Sequence, residues 1–175
     1  MARKVLILDT SILCVWLQIP GMDTIVKDGE PMVTYEDVVS YISDEVKRNT
    51  RIVLPIASII ECGNHITQIK HRKDLSDYVN RFADFIDKAI DGVEPWDIFT
   101  NQNVLFGNDN MKTLVDNWRQ LALSGISMGD ASIIQVAYHY DKNGCTAEIF
   151  TGDSGLKAYQ PAPKPQILPR NGNRR

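Results

Sequence analysis

Val5-Leu6-Ile7-Leu8-Asp9-Thr10-Ser11 is the stretch that decides the fold. Four consecutive apolar residues suit a strand covered on both faces, because a half-exposed strand would alternate apolar and polar side chains. An acid follows at once, and Ser11 to Leu17 predicts a helix. Arg3 and Lys4 ahead of the run resemble the start of a signal peptide, but Asp9-Thr10-Ser11 interrupts it. Ile12 to Leu17 is too short to span a bilayer, so the segment reads as a buried strand entering a helix. No membrane-spanning or lipidation signal is present, and no membrane partner is expected.

The same alternation continues along the chain. Residues 19–33 contain Pro20, Gly21, Gly29 and Pro31 and read as a loop. Tyr35, Val38, Val39, Ile42 and Val46 have helical spacing, with Thr34 placed to cap them. Ile52-Val53-Leu54 predicts a second strand, followed by a helix from about Ala57 to Lys70. Leu75, Tyr78, Val79, Phe82, Phe85, Ile86 and Ile90 mark an amphipathic helix that Gly92 and Pro95 end. A short strand is expected over Asp97 to Thr100 and a helix over Met111 to Leu123. A further helix opens at Ser127 and stops at Asn143-Gly144, and Ala147 to Thr151 is the last strand. Strands alternating with helices predict a three-layer α/β/α sandwich with a mainly parallel central sheet. It would occupy residues 1–160, with a Pro-rich basic tail over 161–175.

Composition narrows the classes. With 175 residues, 43% hydrophobic and 23% charged, the chain suits one folded domain and not a disordered one. Cys14, Cys62 and Cys145 are odd in number and form no CxxC pair, which argues against a structural zinc site or a disulfide framework. A reducing, cytoplasmic setting is expected. The net charge of −3 is uneven. Residues 161–175 hold Lys164, Arg170, Arg174 and Arg175 and no acid, leaving a body of 15 basic and 22 acidic residues, net −7. Such a body does not suit a DNA-coating protein.

Four carboxylates stand out by position. Asp9 follows the first strand and Asp153 the last; Glu61 and Asp130 lie near the starts of two helices. In a right-handed α/β sheet all four meet at the rim formed by the strands' carboxyl ends, where such sheets bind ligands. Several carboxylates stay ionised together only beside a cation, and oxygen ligands favour Mg²⁺ or Mn²⁺. Each acid also has a structural reading. Ser58 to Glu61 and Ser127 to Asp130 fit capping boxes, Asp9 fits an N-cap and Asp153 a turn.

These residues resemble the PIN-domain ribonucleases. The resemblance rests on Val5 to Ser11, on Leu54-Pro55-Ile56-Ala57-Ser58-Ile59-Ile60-Glu61, on Gly129-Asp130-Ala131-Ser132-Ile133-Ile134 and on Ile149-Phe150-Thr151-Gly152-Asp153, in that order over residues 4–160. It implies a PIN-like fold and a Mg²⁺- or Mn²⁺-dependent endoribonuclease leaving 5′-phosphate and 3′-hydroxyl ends. Asp9, Glu61, Asp130 and Asp153 would be catalytic metal ligands, supported by Thr10, Ser11 and Thr151. It also implies the toxin of a toxin–antitoxin pair as a role, with an antitoxin protein as partner. The chain is longer than the compact VapC-type toxins, at residues 19–33, 92–112 and the tail. The competing reading is a catalytically silent PIN scaffold that binds RNA or a protein.

Other α/β classes fail on particular residues. A haloacid-dehalogenase-like phosphatase needs a second Asp where Ser11 stands, and a later one where Lys157 stands. No GxxxxGK[ST] or GxGxxG motif is present, and His65, His71 and His139 form no catalytic motif. For substrate contacts, Lys70, Arg72 and Lys73 form the densest basic cluster, though a helix C-terminus favours such a cluster anyway. Trp16, Trp96 and Trp118 suit either base stacking or core packing. The helix from Leu75 to Ile90 suits packing within the chain, or against a second copy in a homodimer.

Overall fold

Along the chain come β1 (Lys4–Leu8), α1 (Thr10–Trp16), β2 (Ile25–Lys27), β3 (Glu30–Val33), α2 (Tyr35–Lys47), β4 (Arg51–Leu54) and α3 (Ile56–Thr67). Then follow α4 (Leu75–Ile90), β5 (Trp96–Ile98), α5 (Asn103–Phe106), α6 (Asn108–Ala122), α7 (Met128–Lys142), β6 (Thr146–Phe150) and α8 (Ser154–Lys157). The structure, a computed structural model, describes residues 3–70, 73–93, 95–101 and 103–163. His71, Arg72 and most of the basic tail therefore lie outside the described residues.

The opening apolar run is the central strand. Val5 pairs with Arg51 of β4 on one side and with Ala147 of β6 on the other. β5 adds beyond β4, giving the order β5-β4-β1-β6 with every pairing parallel. Val5 to Leu8 are at most 1% exposed, which the unbroken apolar run foretold. Alternate residues serve two cores. Leu6 and Leu8 join Ile52 and Leu54 on one face; Val5 and Ile7 join Val53, Ala147 and Ile149 on the other.

Helices cover both faces, and the chain path explains their distribution. From β1 the chain steps outward to β4 and β5 with α1 to α4 on the first core. It then returns past β1 to β6 with α5 to α7 on the second. Crossovers between parallel strands are right-handed, so reversing direction sends the helices to the opposite face. In sheets with such a reversal, ligands bind beyond the carboxyl ends of the strands at the switch point.

Most elements follow their sequence signals. Thr34 and Asp37 close a capping box on α2. α4 runs from Leu75 to Ile90 as its spacing predicts; Phe85 and Ala89 are buried while Val79 and Ile90 face outward. Gly144 takes the left-handed conformation after the Asn143 cap of α7, with φ of 86°. Trp16 and Phe85 pack edge-on against Trp96, and Trp118 donates to Ile126 O at 3.1 Å, so the tryptophans serve packing.

Residues 19–33 depart from the loop reading. They contain the antiparallel hairpin β2–β3, turned by Asp28 and Gly29 with φ of 53° and 86°. Positive φ at both positions is what a two-residue hairpin turn of matching twist requires, and Asp-Gly is its usual sequence. β5 begins at Trp96, earlier than expected, because it pairs with Ile52 to Leu54 of β4. α6 begins at Asn108, also earlier, behind the short α5.

Ile7 is fully buried in the central strand, whereas Val26 on the hairpin is 57% exposed. In urea unfolding, Ile7→Ala should lower stability by about 2–5 kcal/mol. Val26→Ala should change it by less than about 0.5 kcal/mol.

Candidate functional site

Asp9 ends the central strand. Its N–H continues the ladder to Phe150 O at 3.0 Å, while its carboxylate caps α1 by accepting from Thr10 N at 2.6 Å. The other carboxylate oxygen accepts from Ser11 Oγ at 2.6 Å and Thr151 Oγ1 at 2.8 Å. Both hydroxyls are held in turn by the segment after β6. Gly152 N donates to Ser11 Oγ at 3.4 Å and Asp153 N to Thr151 Oγ1 at 2.9 Å. Thr10, Ser11 and Thr151 thus all donate hydrogen bonds to acids at this end of the sheet.

Thr10 also reaches the second acid, its Oγ1 donating to Glu61 Oε2 at 2.8 Å. The capping-box reading of Ser58 and Glu61 is incorrect. α3 starts earlier, at Ile56 behind Pro55, with no side-chain cap. Ser58 is fully buried and its Oγ donates to Leu8 O at 2.8 Å, satisfying a carbonyl at the end of β1. Glu61 is therefore a second-turn residue facing α1 and α7.

The capping reading holds for Asp130, while Asp153, read as a turn former, is the N-cap of a short helix. Ser127 Oγ donates to Asp130 Oδ2 at 2.8 Å and accepts from Asp130 N at 3.0 Å, closing the box on α7. Asp153 Oδ1 accepts from Gly155 N at 2.7 Å and caps α8. Two glycines let the elements approach. A methyl group at Gly129 would run into the Glu61 carboxylate, and one at Gly152 into Ile25 of the hairpin. Both lie within the quoted motifs, but the sequence reading gave neither of them a role.

The electrostatics are one-sided. Asp9 is 5% exposed, and burial pushes its carboxyl above the ordinary range. Hydrogen bonds from Ser11, Thr151 and Thr10 pull it back, and the charge of nearby Asp130 pushes it up again. None of the ion pairs among the described residues involves the four acids. Such oxygen donors without a cationic partner suit a hard divalent ion in type. As arranged, though, no group of three or more His, Cys, Asp or Glu among the described residues is placed to hold a metal ion.

Lys70 and Lys73, the described members of the basic cluster, are not part of this rim. Both are exposed beyond the C-terminal end of α3, past its Gln68 cap, while Glu61 sits in its second turn. His139 packs against Phe99 and Tyr140, and burial lowers its pKa. No family model matches the chain, and no curated protein matches its sequence.

The sign of Asp9's effect on stability follows from its raised pKa. Between its unfolded value near 3.8 and its higher folded value, the native state holds more protons, so rising pH destabilises the fold. In EDTA, Asp9→Asn should melt above wild type at neutral pH. The gap should close as pH falls to about 4, measured by thermal denaturation across pH.

Proposed function

We propose that this protein is a metal-dependent endoribonuclease of the PIN type. The observation that carries the reading is Asp9: a buried carboxylate at the end of the central strand, held by the Ser11 and Thr151 hydroxyls and joined through Thr10 to Glu61. Asp9 and Glu61, with Asp130 and Asp153, would hold Mg²⁺ or Mn²⁺. A bound ion would supply charge to neutralise a phosphodiester and would lower the pKa of attacking water. The chain's own residues do the rest. Ser11 and Thr151 fix the Asp9 carboxylate, and Thr10 fixes that of Glu61. The uncapped N-terminus of α3 turns backbone N–H groups toward the same rim, which favours a phosphate. RNA as substrate, and an antitoxin segment covering the rim, belong to this proposal.

One observation favours the silent-scaffold reading: Asp130 and Asp153 are engaged as helix caps. Labelled RNAs and single-stranded DNA incubated with Mg²⁺, Mn²⁺ or EDTA separate the two. The nuclease reading expects RNA cleavage that needs metal and is lost in Asp9→Asn. Folded wild-type protein that cuts nothing in either metal would sink it.

The supporting hydroxyls should be felt as well. Ser11→Ala and Thr151→Ala should each lower cleavage by about 10–100-fold, the usual effect of removing a group that orients a ligand. Glu61→Gln should abolish cleavage while keeping the melting temperature within a few degrees (about 1 kcal/mol). Full activity in Glu61→Gln removes that residue from the site.

A further inference from the structure

Glu61 is held from two sides. Its Oε2 accepts from Thr10 Oγ1 at the start of α1, and its Oε1 lies against the first turn of α7 at Gly129. A methyl group on Gly129 would take the place of that Oε1 and stand 3.3 Å from the Glu61 carboxyl carbon. Its next neighbour, Ser127 Oγ at 3.5 Å, would be in ordinary contact. The end of one side chain is thus what an alanine at this position would have to displace.

The backbone gives no competing reason for a glycine. Gly129 lies within α7, away from the left-handed positions that Gly125 and Gly144 occupy. Inside a helix glycine is less stable than alanine, because its backbone loses more freedom on folding. What glycine supplies here is room, and a carboxylate uses it. That carboxylate faces the N-terminal turns of α1 and α7, whose dipoles favour negative charge. Thr10 N also donates to buried Asp9 at 2.6 Å, so the place of Glu61 is tied to that of Asp9 through one residue.

We propose that Gly129 is a positioning residue for Glu61: the space left by its missing side chain is the seat that keeps the Glu61 carboxylate on Thr10, next to Asp9. The consequence for cleavage rests on the nuclease reading; the seat itself does not.

The test is Gly129→Ala, alone and combined with Glu61→Ala. With glutamate labelled at the carboxyl carbon, the Glu61 NMR signal of Gly129→Ala should move at neutral pH, while those of Glu45 and Glu148 stay in place. RNA cleavage should fall by about 10–100-fold, as on loss of a group that orients a ligand. Where Gly129→Ala melts below wild type, the double variant should melt with Glu61→Ala alone, because the obstructing carboxylate is gone. An unmoved Glu61 signal in folded Gly129→Ala overturns the proposal. So does a loss of stability that Glu61→Ala leaves uncorrected, which makes Gly129 a packing residue between α3 and α7. Full cleavage by Gly129→Ala beside an active wild type also overturns it. Wild type that cuts nothing removes the nuclease reading instead, and the carboxyl signal and the melting temperatures then decide the proposal.

Discussion

A carboxylate that is almost out of water has to be satisfied where it stands, and Asp9 imposes that condition on everything around it. Its position is not adjustable, because it directly follows a strand hydrogen-bonded on both sides. The protein answers with three donors from two separate segments, Thr10 and Ser11 after β1 and Thr151 after β6. The Ser11 and Thr151 hydroxyls take their own hydrogen bonds from the backbone that follows. The ends of β1 and β6 are thereby fastened to each other, and Asp153 is placed beside them. Through Thr10 the same arrangement fixes Glu61 on α3, and Glu61 lies where a side chain at Gly129 would be.

The treatment of acids differs across the molecule. Glu45 is 1% exposed yet has Lys4, Arg48 and Thr50 around it; burial opposes its charge, and these partners hold its pKa low. Glu148 is matched by Lys4 and Lys157, which likewise outweigh the effect of burial. At the carboxyl ends of the strands Asp9 receives only hydroxyl and amide donors, and the balance falls the other way. Neutral donors stabilise a carboxylate less than a cation does. This contrast, more than the number of acids, sets Asp9 apart from the other buried carboxylates.

Much of this was legible along the chain because it depends on short-range rules. An unbroken apolar run implies burial on both faces, and β1 is buried on both. Helical spacing with Thr34 and Ser127 at the starts implies capped helices, and both capping boxes are there. The hairpin was also written locally, in Asp28-Gly29, but the prolines and glycines around it favoured a loop. Glu61 shows the reverse: Ser58 three residues earlier has the right spacing for a box, yet Pro55 starts the helix sooner and turns Ser58 into the core.

By itself the sequence determined most of the strands and helices, though not the β2–β3 hairpin or the short α5 and α8, and it placed four acids near the starts of helices or the ends of strands. Those properties follow from periodicity and from the handedness of the chain, both of which act over a few residues. Only the tertiary structure decided that Thr151 shares Asp9 with Ser11 across 142 positions of sequence, that Asp130 raises the pKa of Asp9, and that Gly152 makes room for Ile25. Contacts of this kind depend on where separate elements come to rest against one another. That is set by packing over the whole sheet, which no local pattern encodes.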